Sequence, residues 1–348
     1  MIHPPIIQGG MGVRVSKANL AAAVANEGCA GVIASVALGR YEHSPGADFI
    51  EGSRVALQAE IRKARRMTDG IIGANVMVAL SNYESLVRVC VEEKVDMIIS
   101  GAGLPLQLPA YAAGTDIKLI PIVSSARSLK LICRKWKKDF NRCPDAVIIE
   151  GGKAGGHLGY SLEQLEKNSP TLDETLADVL RFTQQLPVPI PVIAAGGIFT
   201  GRDMAHYLKL GASGVQMATR FVCTEECDVD EKFKQAYLDA GPDDITLIKS
   251  PVGLPGRVIR NAFVEKIKAG ETIPFRCKYR CLRTCDPSTA PYCIAEVLAK
   301  ASEGKMDEAF AFAGSNAWRC NEIVSVKTLI QQIMHEYHTA EHCMPAQL

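Results

Sequence analysis

The chain has 348 residues, 47% of them hydrophobic and 22% charged, so it can bury a large core and does not have the composition of a disordered polymer. Lys plus Arg number 39 against 38 for Asp plus Glu, and this balance leaves no general field favouring nucleic acid or an anionic membrane, which makes small-molecule chemistry the expectation. No apolar run approaches the ~18 residues of a membrane span and Met1–Pro5 has no signal-peptide pattern, so a cytoplasmic protein is expected.

Short β-branched runs recur along the first two thirds: Pro5–Ile7, Gly31–Ala34, Ile71–Val76, Met97–Ser100, Lys118–Val123, Ala146–Glu150, Pro191–Ala195 and Gly214–Met217. Each is nearly continuous in apolar character, as a strand buried on both faces must be. Helix-like segments stand between them, among them Lys17–Asn26, Tyr83–Glu93, Ser125–Lys138 and Asp203–Leu210. Crossovers of this kind impose parallel strands, and eight β-α units in about 240 residues point to a (β/α)8 TIM barrel, with a doubly wound open sheet as the rival.

Polar or glycine-rich punctuation follows nearly every strand: Gln8–Gly12, Ala74–Asn75, Gly101–Gly103, Ser124–Ser125, Gly196–Gly197 and Ala218–Arg220. In a barrel these ends converge on one rim, where active sites are assembled. The sixth strand runs into the most glycine-rich of the loops, with five glycines between Gly151 and Gly159 and one histidine, His157, the side chain suited to proton exchange near neutral pH. Lys153 in this loop reads as solvated. Ala195–Gly196–Gly197 and the run Gln216–Met217–Ala218–Thr219, followed by Arg220, have the pattern of a phosphate grip, with backbone N–H groups and a helix start facing an anion.

Beyond Asp244 the alternation stops, which suggests a barrel over residues 1–245 and a smaller helical, cysteine-rich lobe over 246–348 that covers the rim. Leu247–Asn261 reads as a long ordered loop. Helices are expected over Ile294–Ser302, Met306–Ala313 and Val326–Tyr337, with boundaries at Gly270 and Gly304. Cys277, Cys281, Cys285 and Cys293 crowd into one stretch and offer four soft ligands for zinc or an iron–sulfur cluster, although the spacing is not a standard one. The other reading is a set of reduced or redox-labile thiols, with Lys278, Arg280 and Arg283 lowering their pKa. Cys223 and Cys227 read as buried core thiols, and His335, His338 and His342 as one face of a surface helix.

Ile7–Gly12, Leu20–Gly28, Gly73–Met77, Glu150–Gly159 and Ala194–Ile198 together resemble the nitronate monooxygenase (2-nitropropane dioxygenase) family and its relative, the FMN-dependent enoyl-ACP reductase II, over about residues 4 to 240. The resemblance implies an FMN-dependent oxidoreductase. In the family pattern Gly10, Met11 and Gly12 approach the flavin ring, Asn75 and Met77 flank it, and Gly156 meets it beside the active-site position, here His157. Ala195, Gly196, Gly197, Gln216, Met217, Ala218 and Thr219 would hold the phosphate arm. Ala218 departs from the family glycine and would be strained if its backbone needed a positive φ.

The resemblance leaves two activities open. A nitronate monooxygenase reduces FMN with the nitronate and reoxidises it with oxygen; the reductase passes hydride from NAD(P)H to an enoyl thioester. For the second, an acidic acyl carrier protein is a partner, and Lys249, Arg257 and Arg260 would contribute a basic docking patch. A homodimer is expected in either case, with a small-molecule substrate and no nucleic acid or membrane.

Overall fold

A computed structural model describes residues 2–39, 49–168, 170–277 and 280–343. In chain order the strands are β1 (Ile6–Gln8), β2 (Gly31–Ala34), β3 (Ile72–Met77), β4 (Met97–Gly101), β5 (Lys118–Val123), β6 (Val147–Glu150), β7 (Gly156–His157), β8 (Val192–Ala195), β9 (Gly214–Met217), β10 (Ile245–Lys249) and β11 (Pro255–Ile259). Eight of them, β1 to β6 with β8 and β9, form one parallel sheet in the order β1-β9-β8-β6-β5-β4-β3-β2. A parallel bridge between Ile7 and Ala30 brings β1 beside β2 and completes the ring. All eight expected strands are present within a residue or two, and the architecture is the TIM barrel, not the open sheet.

Two-residue alternation sorts the side chains of each strand between two apolar environments. Ile7, Val32, Ile99, Ile120, Ile148 and Ile193 form a cluster separate from the main core, the packed interior of the barrel. Their neighbours, such as Ile6, Ile33, Ile98, Ile149 and Val215, join the larger core under the helices. The helix Val326–Cys343 packs against Gly201–Lys209 and Ala18–Asn26, returning the C-terminal region to the outside of the barrel. Among the described residues, no helix is long and apolar enough to cross a membrane.

Two expectations fail beyond residue 244. Leu247–Asn261 is not a loop: β10 and β11 form an antiparallel hairpin from Ile245↔Ile259 to Lys249↔Pro255. Its turn, with Gly253 at φ +83°, lies between Lys249 and Pro255. Met306–Ala313 is not a helix either. Only Met306–Glu308 makes a 3₁₀ turn, after which the chain extends so that Phe312 bridges Val258 of β11. Segments that pair with distant strands take extended form whatever their local helix composition.

Candidate functional site

The C-terminal rim of the barrel carries two adjoining cavities. The first, about 1040 Å³ of space partly open to solvent, is lined by Gly10, Met11, Gly12, Gly156, Ala195, Gly196, Gly197, Gln216, Ala218 and Thr219. The second, about 1200 Å³ by the same measure, takes in Asn75, Met77 and His157 and shares Gly10, Gly12, Gly156 and Gln216 with the first. The candidate residues therefore converge on one place, apart from Met217. Its side chain points into the core outside the barrel while its carbonyl accepts the Gly9 N–H at 2.8 Å, because Gln216 takes the inward position on β9.

The glycines are required by contact as well as by conformation. A Cβ on Gly10 would lie 2.4 Å from Asn75 Cβ, so the β1 loop and β3 meet only because that atom is missing. Gly196 has φ +95°, and a Cβ there would sit 2.7 Å from the Gly151 carbonyl oxygen. Ala218 has φ −130° and begins the short helix Thr219–Val222, so alanine is unstrained where the family pattern has glycine.

His157 is held by a device that local sequence does not announce. As part of β7 it pairs with Gly256 of β11, making β10-β11-β7 a three-stranded sheet laid over the rim. Its Nε2 lies 2.7 Å from Ser250 Oγ, and its ring meets Phe312 edge-on at 4.9 Å between centroids. Burial among these groups holds the imidazole pKa down to about 4, so the ring is neutral at pH 7 and able to donate or accept a hydrogen bond.

Several further participants emerge only from the tertiary structure. Glu150, the last residue of β6, lines both cavities, and burial pushes its carboxyl up to about 7. The sequence signal was an acidic residue closing an otherwise apolar strand. The segment Phe312–Asn316 roofs the first cavity: the Asn316 side chain donates to the Gly197 carbonyl at 2.7 Å, Ser315 N donates to the Lys153 carbonyl at 3.1 Å, and the Tyr237 hydroxyl donates to the Phe312 carbonyl at 2.5 Å. Ser315 Oγ is buried without a hydrogen-bond partner in the wall of that cavity, a position for a polar ligand atom to complete. The orphaned hydroxyl, Thr219 and the Gly196–Gly197 turn together fit a phosphate-bearing cofactor.

Other expectations change. Arg257 does not contribute to a basic surface with Lys249 and Arg260, because its Nη1 turns inward to donate to the Gly152 and Ala154 carbonyls at 2.7 and 2.6 Å. It braces the histidine loop instead. Lys153 is exposed, and Cys223 and Cys227 are buried, as expected. His335, His338 and His342 are exposed on their helix.

The thiols of Cys281, Cys285 and Cys293 are not lowered in pKa. Burial pushes Cys281 up to about 12 and the other two in the same direction. Lys278 lies outside the described residues. Among the described residues, no group of three or more His, Cys, Asp or Glu is arranged around a single metal ion.

A family model described as nitronate monooxygenase matches residues 1–84 and 77–336. The chain is 32% identical over 269 residues, 77% of its length, to the (3aS,4S,5R,7aS)-5-hydroxy-7a-methyl-1-oxo-octahydro-1H-indene-4-carboxyl-CoA dehydrogenase of Mycobacterium tuberculosis. That match spans 66% of the relative, just under two thirds. A probable nitronate monooxygenase of Staphylococcus aureus is 29% identical, with 78% of this chain and 79% of that one covered. Among solved structures, FabK from Thermotoga maritima superposes with a TM-score of 0.76 at 31% identity, covering 97% of this chain and 94% of its own.

Proposed function

Since the chain belongs to the nitronate monooxygenase family, we propose that it is an FMN-dependent oxidoreductase whose first substrate class is the alkyl nitronates, oxidised with O2. FMN would be held by Gly10, Met11, Gly12, Asn75, Met77 and Gly156 around the ring. Ala195, Gly196, Gly197, Gln216, Ala218 and Thr219 would hold the phosphate arm, with Met217 contributing main chain alone. Ser315 and Asn316 complete that end. When bound, FMN supplies the two-electron chemistry, and the protein supplies orientation and electrostatics.

The observation that carries this reading is the neutral His157, fixed between Ser250 and Phe312 in the wall of the second cavity. A neutral imidazole offers an N–H to a negatively charged or charge-accumulating oxygen without the cost of burying a cation. Nitronate oxygens present such a charge. Glu150 supports the same reading: a carboxyl with a pKa of about 7 exchanges a proton at the working pH. The roof of Phe312–Asn316 shields this region from bulk water, which strengthens each of these interactions.

A second reading, reduction of an enoyl thioester by NAD(P)H, is favoured by the apolar flank of the second cavity. Val36, Leu80, Leu282, Ile294 and Leu298 form an apolar lining of the kind an acyl chain would pack against. The carboxyl-CoA substrate named for the Mycobacterium relative points the same way. An acyl carrier protein would in that case dock without Arg257.

Anaerobic mixing separates the readings. Bleaching of the bound flavin by a nitronate alone, with recovery in air, supports the monooxygenase. Bleaching by NADH or NADPH only, followed by recovery on adding an enoyl thioester, supports the reductase; no bleaching by any of them refutes both.

A further inference from the structure

Two polar side chains in the wall of the second cavity are buried with their hydrogen-bonding capacity unspent. Ser35, the residue after β2, is 1% exposed and Asn82, in the turn after β3, is 3% exposed, and both line that cavity. Ser35 Oγ and both polar atoms of the Asn82 amide have no hydrogen-bond partner. Asn82 stands at the N-cap of the helix Tyr83–Glu92, where an asparagine side chain ordinarily accepts a backbone N–H of the first turn, yet it makes no such bond. A buried donor or acceptor left unpaired keeps its full desolvation cost, so such groups are rare unless something outside the chain completes them. We propose that Ser35 and Asn82 form a polar subsite of the second cavity that holds a neutral hydrogen-bonding group, a hydroxyl or a carboxamide, on an otherwise apolar substrate whose reacting end lies at His157.

The ring of strands sets where this subsite lies. β2 and β3 are neighbours, paired from Gly31↔Ile72 to Ala34↔Asn75, and Ser35 N donates to the Asn75 carbonyl at 3.0 Å. β6, which runs into the histidine loop, stands four places from β2 in either direction round the ring. A ligand lying in the second cavity can therefore meet His157 at one end and Ser35 and Asn82 at the other, while Leu80, Leu86, Leu282 and Leu298 supply apolar surface for its middle. The chemistry of the two side chains sets the class of the far group. The Asn82 amide offers donors and an acceptor and the Ser35 hydroxyl offers one donor and its lone pairs, so a hydroxyl or carboxamide satisfies both senses at once. A terminal methyl would leave both unpaired, and a carboxylate would exchange its hydration for two uncharged partners.

This inference rests on the reading of His157 as the place of reaction and names the other end of the substrate, and its readout is binding, so the two can fail separately. The FMN-loaded, full-length protein is titrated with two series of unreactive ligands of increasing chain length: alkanoates, whose planar carboxylate imitates a nitronate without reducing flavin, and saturated alkanoyl thioesters. Each ligand ends in methyl, hydroxyl or carboxamide, and Kd is read from the shift in flavin absorption. At the best length in at least one series, the hydroxyl- or carboxamide-ended ligand is expected to bind about tenfold tighter than the methyl-ended one. Asn82→Leu combined with Ser35→Ala is expected to abolish that preference and to bind the methyl-ended ligand at least as tightly as the wild-type protein does, a gain that misfolding could not produce. The wild-type comparison stands by itself should the double variant fail to fold. Equal affinity for methyl- and polar-ended ligands at every length overturns the proposal, as does the absence of binding throughout both series or a preference that survives in the folded double variant. A preference for the polar end in a protein that turns over neither a nitronate nor an enoyl thioester upholds the subsite and refutes the reaction instead.

Discussion

Glu150 lines both cavities and His157 the second, with pKa values displaced in opposite senses, and replacing one should uncover the other. Burial raises the Glu150 carboxyl from its ordinary 4.5 to about 7, so the folded protein holds that proton more tightly than the unfolded chain. The resulting stability is fully present below pH 4.5 and is lost as pH rises through 7. His157 is lowered from 6.5 to about 4, so the unfolded chain holds its proton more tightly, and stability is lost as pH falls from 6.5 towards 4. Between 4.5 and 6.5 the two slopes oppose and nearly cancel in the wild-type protein. Each displacement corresponds to at most about 3 kcal/mol. Because Glu150 retains some access to the open cavity, ~2 kcal/mol is the working figure.

Glu150→Gln removes one slope. The flavin-free variant should be about 2 kcal/mol more stable than wild type near pH 8. The two should converge near pH 4, and the variant alone should lose stability on acidification between 6.5 and 4.5. Urea unfolding followed by far-UV circular dichroism at a series of pH values measures this directly, since every other titrating group cancels in the difference. Glu150→Gln combined with His157→Gln should be flat again. A wild-type-minus-variant difference that does not change with pH would refute the assignment of a buried, proton-holding carboxyl at the end of β6.

His157→Phe keeps a flat ring against Phe312 and removes the N–H donor; kcat should fall about 10²- to 10³-fold while FMN content, read from absorbance, is unchanged. Gly196→Ala forces a Cβ to within 2.7 Å of the Gly151 carbonyl at φ +95°. It should cost at least about 1 kcal/mol of stability and release the flavin, which calorimetry and flavin fluorescence would report together. Asn316→Ala removes the 2.7 Å bond to the Gly197 carbonyl that ties the roof to the phosphate turn. Its FMN Kd should rise by about tenfold, with little change in melting temperature measured on the flavin-free protein.

Much of this site was legible in the sequence because barrel strands and the loops that follow them are local objects. A run such as Val147–Glu150 is apolar on both faces wherever it lies, and eight such runs with helical crossovers leave few topologies. Their glycine-rich ends fall on one rim by the geometry of the fold alone, which is why Gly10, Asn75, Gly156, Gly196 and Thr219 could be grouped before any coordinates. Strand periodicity would even have turned Met217 away from the cavity.

What depends on contacts between distant segments was not legible. The β10–β11 hairpin, read as a loop, is held in part by pairing with two residues from the histidine loop, about 100 positions earlier. The roof at Phe312–Asn316 extends because β11 and the Gly197 turn supply its hydrogen bonds. The neutral state of His157 and the raised pKa of Glu150 are properties of burial, set by everything that surrounds those side chains and by nothing adjacent to them in the chain. The four cysteines carried a recognisable composition, but only folding could decide that Cys281 reaches the wall of the second cavity. Local pattern dictates which segments become strands and where the chain turns; protonation state, hydrogen-bond closure and the meeting of remote side chains arise when those segments exclude water from one another.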